Sequence, residues 1–467
     1  MNKENLHYMG LREVGEAIQS GKLSSEEVTK KQFERISELD GRLKSYVVLM
    51  QEQALNEARR ADQEVAQGKV RGPLHGVPVA VKDLCWTSDA PTAFGTTVHR
   101  NFQAKEDGTV VKRLRDAGAV ILGKVQLTEG ALTDHHPDIE APVNPWNSAH
   151  WSGVSSSGSG VAPAAGMCYG AIGTDTGGSI RYPSAACGLT GIKPTWGRVS
   201  RYGNFELAAS LDHLGPMTRS AEDSAAMLQV IAGPDEKDPT ASQAPVQDYL
   251  QELTRGAKGL RIGIDRAWIT DDVDAPTRQM MDAAIDVMAN LGAEIIEVKT
   301  PDVTDMQSHW FNLCSVEAAV AHEADYPSRK DMYGPALSNL LDTGLALSAM
   351  DYQKILLKRA AYTGKLRAVM QGVDLLLVPT TPIASPTIAQ MSVTGQEYVD
   401  RWFAMMRYTA PLDMAGVPTI TLPGGFTDAG TPIGFQFVGA DFREDLIIRA
   451  AHAFQGQTDW HKRRPNL

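Results

Sequence analysis

Cysteine is scarce in this chain: four residues among 467, at Cys85, Cys168, Cys187 and Cys314. None shows Cys-x-x-Cys spacing, and thiols this far apart are too few to staple a chain of this length. They read as small buried side chains in a reducing compartment. Long apolar runs are missing too, so no membrane span is expected, because one needs about 18 consecutive apolar residues. The opening Met1-Asn2-Lys3-Glu4-Asn5-Leu6-His7 is polar and lacks the apolar core of a secretory signal, which makes the cytoplasm the expected location. Positive charge is in deficit, with 45 Lys plus Arg against 56 Asp plus Glu and a net charge of −11. The longest basic cluster, Lys462-Arg463-Arg464, reads as a solvated tail. Phosphate binding needs at least a local Lys/Arg surplus, so nucleic acid is excluded as a partner.

What remains is ordinary globular composition, 43% hydrophobic and 22% charged, which supplies a core and excludes disorder. Length alone suggests three domains at roughly 150 residues each. Residues 1–68 read as helical, with the capping pattern Ser24-Ser25-Glu26-Glu27 ahead of Val28, Phe33, Ile36, Leu39 and Leu43. Val77–Val81 reads as a short buried strand with Lys82-Asp83 at its exit. Residues 108–124 read as a helix followed by a strand at Ala119–Leu122. Later come a strand at Leu260–Ile264, a helix at Pro276–Leu291 and a strand at Glu294–Val298. Further strands are expected at Val373–Val378, Thr419–Leu422 and Ile433–Val438, and a last helix at Glu444–Phe454 with Gly456 as its stop. Strands alternating with helices predict the α/β class. The polar stretch at 233–247 is either a surface excursion within one large domain or a boundary.

Glycine and serine crowd residues 152–203. Trp151-Ser152-Gly153-Val154-Ser155-Ser156-Ser157-Gly158-Ser159-Gly160 is followed by Gly173-Thr174-Asp175-Thr176-Gly177-Gly178-Ser179-Ile180-Arg181. A flexible linker would have this composition. It would not be interrupted by the apolar, helix-compatible Val161–Ile172 or followed by the packable Cys187-Gly188-Leu189. Gly177 and Gly178 allow unusual dihedrals and close approach of a substrate. Successive free N–H groups in such a turn form an anion-binding nest, and Ser179 beside it could attack a carbonyl whose oxygen sits there. The nucleophile-elbow pattern fails at Ser179, because Arg181 stands where its last glycine belongs.

Such a serine needs a base. A lysine serves if burial depresses its pKa, and Lys82 ends an apolar run, although a strand-end surface lysine would look the same. The adjacent His135-His136 point to opposite sides of an extended chain and have no third ligand at sensible spacing, so no metal is expected. Gly118-Ala119-Val120-Ile121-Leu122-Gly123-Lys124 matches a phosphate-loop pattern. Its four middle residues are apolar and Val125 replaces the magnesium-holding hydroxyl, so it reads as a buried strand.

The run Gly173–Pro183, with Cys187-Gly188 and Gly191-Ile192-Lys193-Pro194-Thr195-Trp196-Gly197-Arg198-Val199-Ser200, resembles the signature of the amidase signature hydrolases. Gly76–Asp83, Asn144-Pro145-Trp146, Val378-Pro379-Thr380-Thr381-Pro382 and Pro432-Ile433-Gly434-Phe435-Gln436 extend the resemblance over nearly the whole chain. It implies one α/β domain across 1–467, a large mixed β-sheet wrapped by helices, in place of three domains. Within it, 1–68 would be an N-terminal helical segment, 69–232 the signature core and 248–467 the C-terminal half.

The resemblance further implies Ser–cis-Ser–Lys catalysis: Ser179 as nucleophile, Ser155 as bridging serine after a cis peptide, and Lys82 as base. The N–H groups of Thr176, Gly177, Gly178 and Ser179 would form the oxyanion hole. Ser156 and Thr174 would support the lysine and serines, and Asp175 and Arg181 would orient the nucleophile loop. No cofactor is implied. The implied substrate is a small-molecule amide, ester or carbamate (urethane), cleaved through an acyl-enzyme, and a homodimer is allowed. The alternative is the glutaminase component, the A chain, of a glutamyl-tRNA amidotransferase complex, which Arg198–Gly203 and Ser210-Leu211-Asp212 resemble. Four places depart from the family pattern: Val154 and Ser157 replace glycines, Asp413 stands where Asn is common, and Gly130 with His135-His136-Pro137 occupy positions expected on the substrate side. The C-terminal methionines Met350, Met370, Met391, Met405, Met406 and Met414 suit either an adaptable apolar wall or plain core packing.

Overall fold

The computed structural model describes residues 6–467; Met1–Asn5, most of the polar N-terminal stretch read above, lie outside the described residues. Eleven strands are found among the described residues: β1 Tyr46–Leu49, β2 Pro78–Lys82, β3 Val120–Val125, β4 Gly170–Asp175, β5 Thr190–Lys193, β6 His213–Thr218, β7 Arg261–Ile264, β8 Glu294–Glu297, β9 Leu375–Pro379, β10 Thr419–Phe426 and β11 Pro432–Gly439. All pair into one mixed sheet in the order β1-β3-β2-β4-β6-β5-β10-β11-β9-β7-β8. The strands β3, β2 and β4 are parallel neighbours, as are β9, β7 and β8, and the centre is antiparallel. Strands β2 to β6 are buried along their whole length, which requires cover on both faces.

One sheet built from both halves of the chain removes the three-domain arithmetic. The polar stretch after Gly233 is a surface excursion, tied back by Arg113, whose guanidinium donates to the carbonyls of Ile231 and Pro234 (both 2.6 Å), and by Asp235, which accepts from Thr109 and Ser200. The phosphate-loop look-alike is β3, as its apolar centre predicts. No helix among the described residues is long and apolar enough to cross a membrane.

Several elements differ from expectation. The helical N-terminal segment contains the short edge strand β1, between the helices Ser25–Leu43 and Gln51–Ala66. Ser24 caps the first of these by accepting from the Glu27 N–H. Strands β4, β5 and β6 lie where no strand was expected. An apolar run buried on both faces has no period by which to tell strand from helix. The apolar Val161–Ile172 divides between the helix Ser157–Ala164 and the start of β4. That helix begins inside the Gly/Ser run because the backbone must pass close there: a Cβ on Gly158 would come within 2.4 Å of the Ser45 carbonyl oxygen. The last helix, Glu444–Gln457, runs through Gly456, so that glycine is not its stop.

Candidate active site

Strands β2 and β4 run parallel side by side, with Ala80 and Val81 paired to Ala171 and Ile172. Their carboxyl ends therefore meet, which is where open α/β sheets place their ligands. Lys82 is the last residue of β2 and is fully buried. Its Nζ lies 2.8 Å from Ser155 Oγ, 2.9 Å from Ser156 Oγ and 2.7 Å from Thr174 Oγ1. Burial pushes the Lys82 ammonium down to about 7, against weaker opposition from Cys85, Asp175 and Asp212. No carboxylate among the described residues pairs with it, so the desolvated charge is only weakly compensated.

The loop from Trp151 crosses these strand ends. The Val154–Ser155 peptide is cis, and the Ser155 carbonyl accepts from the Thr128 N–H at 3.1 Å. Ser156 is saturated: its Oγ donates to the Thr174 carbonyl at 3.1 Å, accepts the Thr174 N–H at 3.2 Å, and takes a third contact from Lys82. With its proton committed, Ser156 can only accept from the lysine. An uncharged Lys82 amine donates two hydrogens and keeps one lone pair. That leaves the Ser155 or Thr174 hydroxyl free to donate into the lone pair. The Ser156 N–H reaches the Ser179 carbonyl at 3.4 Å, joining this loop to the one after β4.

Asp175 organises that second loop from its inner side. Its carboxylate accepts the N–H groups of Gly178 (2.7 Å) and Ile180 (3.0 Å) and a bidentate pair from Arg181 (2.9 and 2.8 Å). Burial alone would raise the Asp175 carboxyl, but the Arg181 guanidinium overrides it and holds the group far below the usual range. Arg181, also fully buried, donates to the Thr409 carbonyl and to Asp413. Asp413 in turn lies 4.0 Å from Lys193 Nζ and 3.6 Å from His213 Nδ1. The expected set of oxyanion donors needs correction at Gly178, whose N–H is occupied by Asp175. The N–H groups of Thr176, Gly177 and Ser179 have no acceptor among the described residues. Gly178 itself has φ 136°, and a Cβ there would strike the Tyr182 ring at 2.3 Å.

Ser179 opens onto a small, mostly apolar pocket. Leu132, Val154, Leu207, Trp310, Trp402 and Met406 form half of its wall, and no charged side chain lines it. Two larger clefts, around Arg359 and Phe442 and around Trp268 and Phe403, hold none of Lys82, Ser155 and Ser179. Trp310 and Trp402 sit on helices outside the signature, and nothing in their local sequence marks them. Of the methionines singled out earlier, Met406 reaches the pocket, Met414 is core and Met350 is exposed. Gly130 and His135 do not line it; Ala131, Leu132 and Thr133 do. His135 instead places Nε2 3.1 Å from Ser157 Oγ, so two departures from the family pattern meet each other, and burial pushes this imidazole down to about 4.

The chain matches the family model described as Amidase over residues 27–448. AmiD of Mycobacterium tuberculosis, whose name classes it with the amidases, is 48% identical over 465 residues, covering all of this chain and 97% of its own. The A component of the glutamyl-tRNA(Gln) amidotransferase of Carboxydothermus hydrogenoformans is 35% identical, covering 99% of this chain and all of its own. Among solved structures, the native peptide amidase of Stenotrophomonas maltophilia superposes with a TM-score of 0.84 at 30% identity, over 96% of this chain and 97% of its own.

Proposed function

The chain belongs to the amidase family, and from that premise we propose that it hydrolyses the C–N bond of a small-molecule amide with an apolar acyl group, using Ser179, Ser155 and Lys82. Uncharged Lys82 accepts the Ser155 proton while Ser155 takes the proton from Ser179 Oγ. Ser179 Oγ bonds to the acyl carbon, and the carbonyl oxygen gains negative charge opposite the free N–H groups of the 176–179 turn. Losing one such donor costs on the order of 3 kcal/mol, so this turn carries a large share of the acceleration. As the C–N bond breaks, Ser155 passes a proton to the departing nitrogen and recovers one from Lys82. Water then adds to the acyl-enzyme by the same relay, releasing the acid and restoring the Ser179 hydroxyl. Ester and carbamate carbonyls fit the same steps.

The observation carrying this reading is the Lys82 amine, buried among three hydroxyls with its pKa near 7. The likeness to the amidotransferase component favours a second reading, glutamine hydrolysis within a complex. Against it stands the pocket wall, which offers no charged partner to the carboxylate or ammonium of glutamine. The test is a panel of anilides, short primary amides, esters, carbamates and glutamine given to the purified single chain. Hydrolysis of apolar anilides that disappears in Ser179→Ala supports the proposal. Turnover of glutamine alone, or full activity in Ser179→Ala, overturns it.

A further inference from the structure

Thr176 is held at two points by residues the mechanism above does not use. Trp310, on the helix Met306–Ala321, donates its indole Nε1–H to the Thr176 carbonyl at 2.7 Å. Asp212, just before β6, accepts the Thr176 hydroxyl at 2.6 Å and is itself anchored by the Leu207 N–H at 3.0 Å. Both side chains are buried. The indole also lies flush against the next residue, since a Cβ on Gly177 would come within 2.5 Å of Trp310 Cζ2.

A peptide plane is rigid, and in the trans form its C=O and N–H point in opposite directions. Pinning the Thr176 carbonyl on the indole therefore also sets the direction of the Gly177 N–H, away from Trp310. That N–H is one of those left without an acceptor, in a turn that lines the same pocket as Ser179. The Asp212 bond prevents the residue from turning about its own side.

We infer that Trp310 is a positioning residue for the reaction: with Asp212 it clamps Thr176 so that the Gly177 N–H is presented to the developing oxyanion. This inference rests on the amidase reading of Ser179. It gives Trp310 two separable roles, an apolar wall through its ring and an aligning donor through its N–H. The wall acts on substrate and transition state alike, whereas the donor acts where charge develops.

The test removes the N–H and keeps the ring. Trp310→Phe, and a second protein carrying benzothienylalanine at 310 (the indole shape without its N–H), are compared with wild type for kcat and KM on an apolar anilide. The rate of Ser179 labelling by a fluorophosphonate, whose phosphoryl oxygen needs the same donors, is measured alongside. The expected result is a kcat lower by about 10- to 100-fold with KM within about twofold, and labelling slowed in parallel. Unchanged kcat and labelling, or a rise in KM alone, overturns the clamp. Should Trp310→Phe unfold, the isosteric protein decides. A wild-type chain that the fluorophosphonate does not label at Ser179 overturns the nucleophile reading itself, and the inference with it.

Discussion

Lys82 Nζ lies 2.8 Å from Ser155 Oγ, and no carboxylate among the described residues pairs with it. The base must be uncharged to accept a proton, and burial brings its pKa to about 7. Activity is therefore expected to rise tenfold per pH unit below about 7 and to level off above it. Lys82→Ala should lower kcat/KM by about 10²–10⁴-fold and abolish that limb. A limb centred near the ~10.4 of a free lysine would sink the assignment.

The same shift fixes a sign for stability. Between about 7 and the ~10.4 of the unfolded chain, the unfolded state holds the Lys82 proton and the folded state does not, so stability rises with pH across that window. Below it, both states are protonated and the folded protein carries a desolvated ammonium. Lys82→Met should therefore raise Tm at pH 6, with a gain that shrinks by pH 9. A constant difference at both pH values would contradict this.

Glu129 is buried with no cation paired to it among the described residues, and both its carboxylate oxygens lie 3.0 Å from the Gly334 N–H at the start of the helix Pro335–Ala346. Burial pushes its carboxyl up to about 7. Its protonated form favours folding, and this contribution fades as pH climbs from the ~4.3 of the unfolded chain through about 7. Glu129→Gln should match wild type in Tm at pH 5 and exceed it at pH 8. Thermal melts at the two pH values check this.

Asp413 shares the Arg181 guanidinium with Asp175, all three fully buried. Asp413→Ala leaves a buried donor unpaired and should cost about 3–5 kcal/mol in denaturant unfolding. Asp413→Asn keeps an acceptor for Arg181 and leaves the Asp175 pair intact, so its cost should stay within about 1.5 kcal/mol. Equal losses in the two variants would show that the carboxylate charge itself is required.

Leu207 lines the pocket onto which Ser179 opens. Leu207→Ala should shift the ratio of kcat/KM toward longer acyl chains by about 10-fold, since each methylene in an apolar pocket is worth about 1–3 kcal/mol. An acyl-length series of anilides measures it. An unchanged preference would mean that the acyl group lies elsewhere.

Residue types at close spacing decided much of this protein. The α/β class, the strand at β2 with a lysine at its exit, the glycines of the turn before Ser179 and the short apolar core of β3 are local facts, readable because each depends on a few neighbouring side chains. The sequence could not place β4, β5 and β6, since strands buried on both faces carry no period, nor β1, a four-residue edge strand too short to show one. Nor could it show that Lys82 is buried rather than a surface lysine. That depends on a desolvation assembled from β2, β4 and the Trp151–Ser156 loop, and the three hydroxyls around the amine, on Ser155, Ser156 and Thr174, lie 73, 74 and 92 positions from the lysine. Asp175 taking the Gly178 amide, Ser157 meeting His135, and Trp310 reaching Thr176 are likewise contacts between distant segments. Hydrogen bonds and burial act through space over a few ångströms, and only the folded backbone brings such segments within that range.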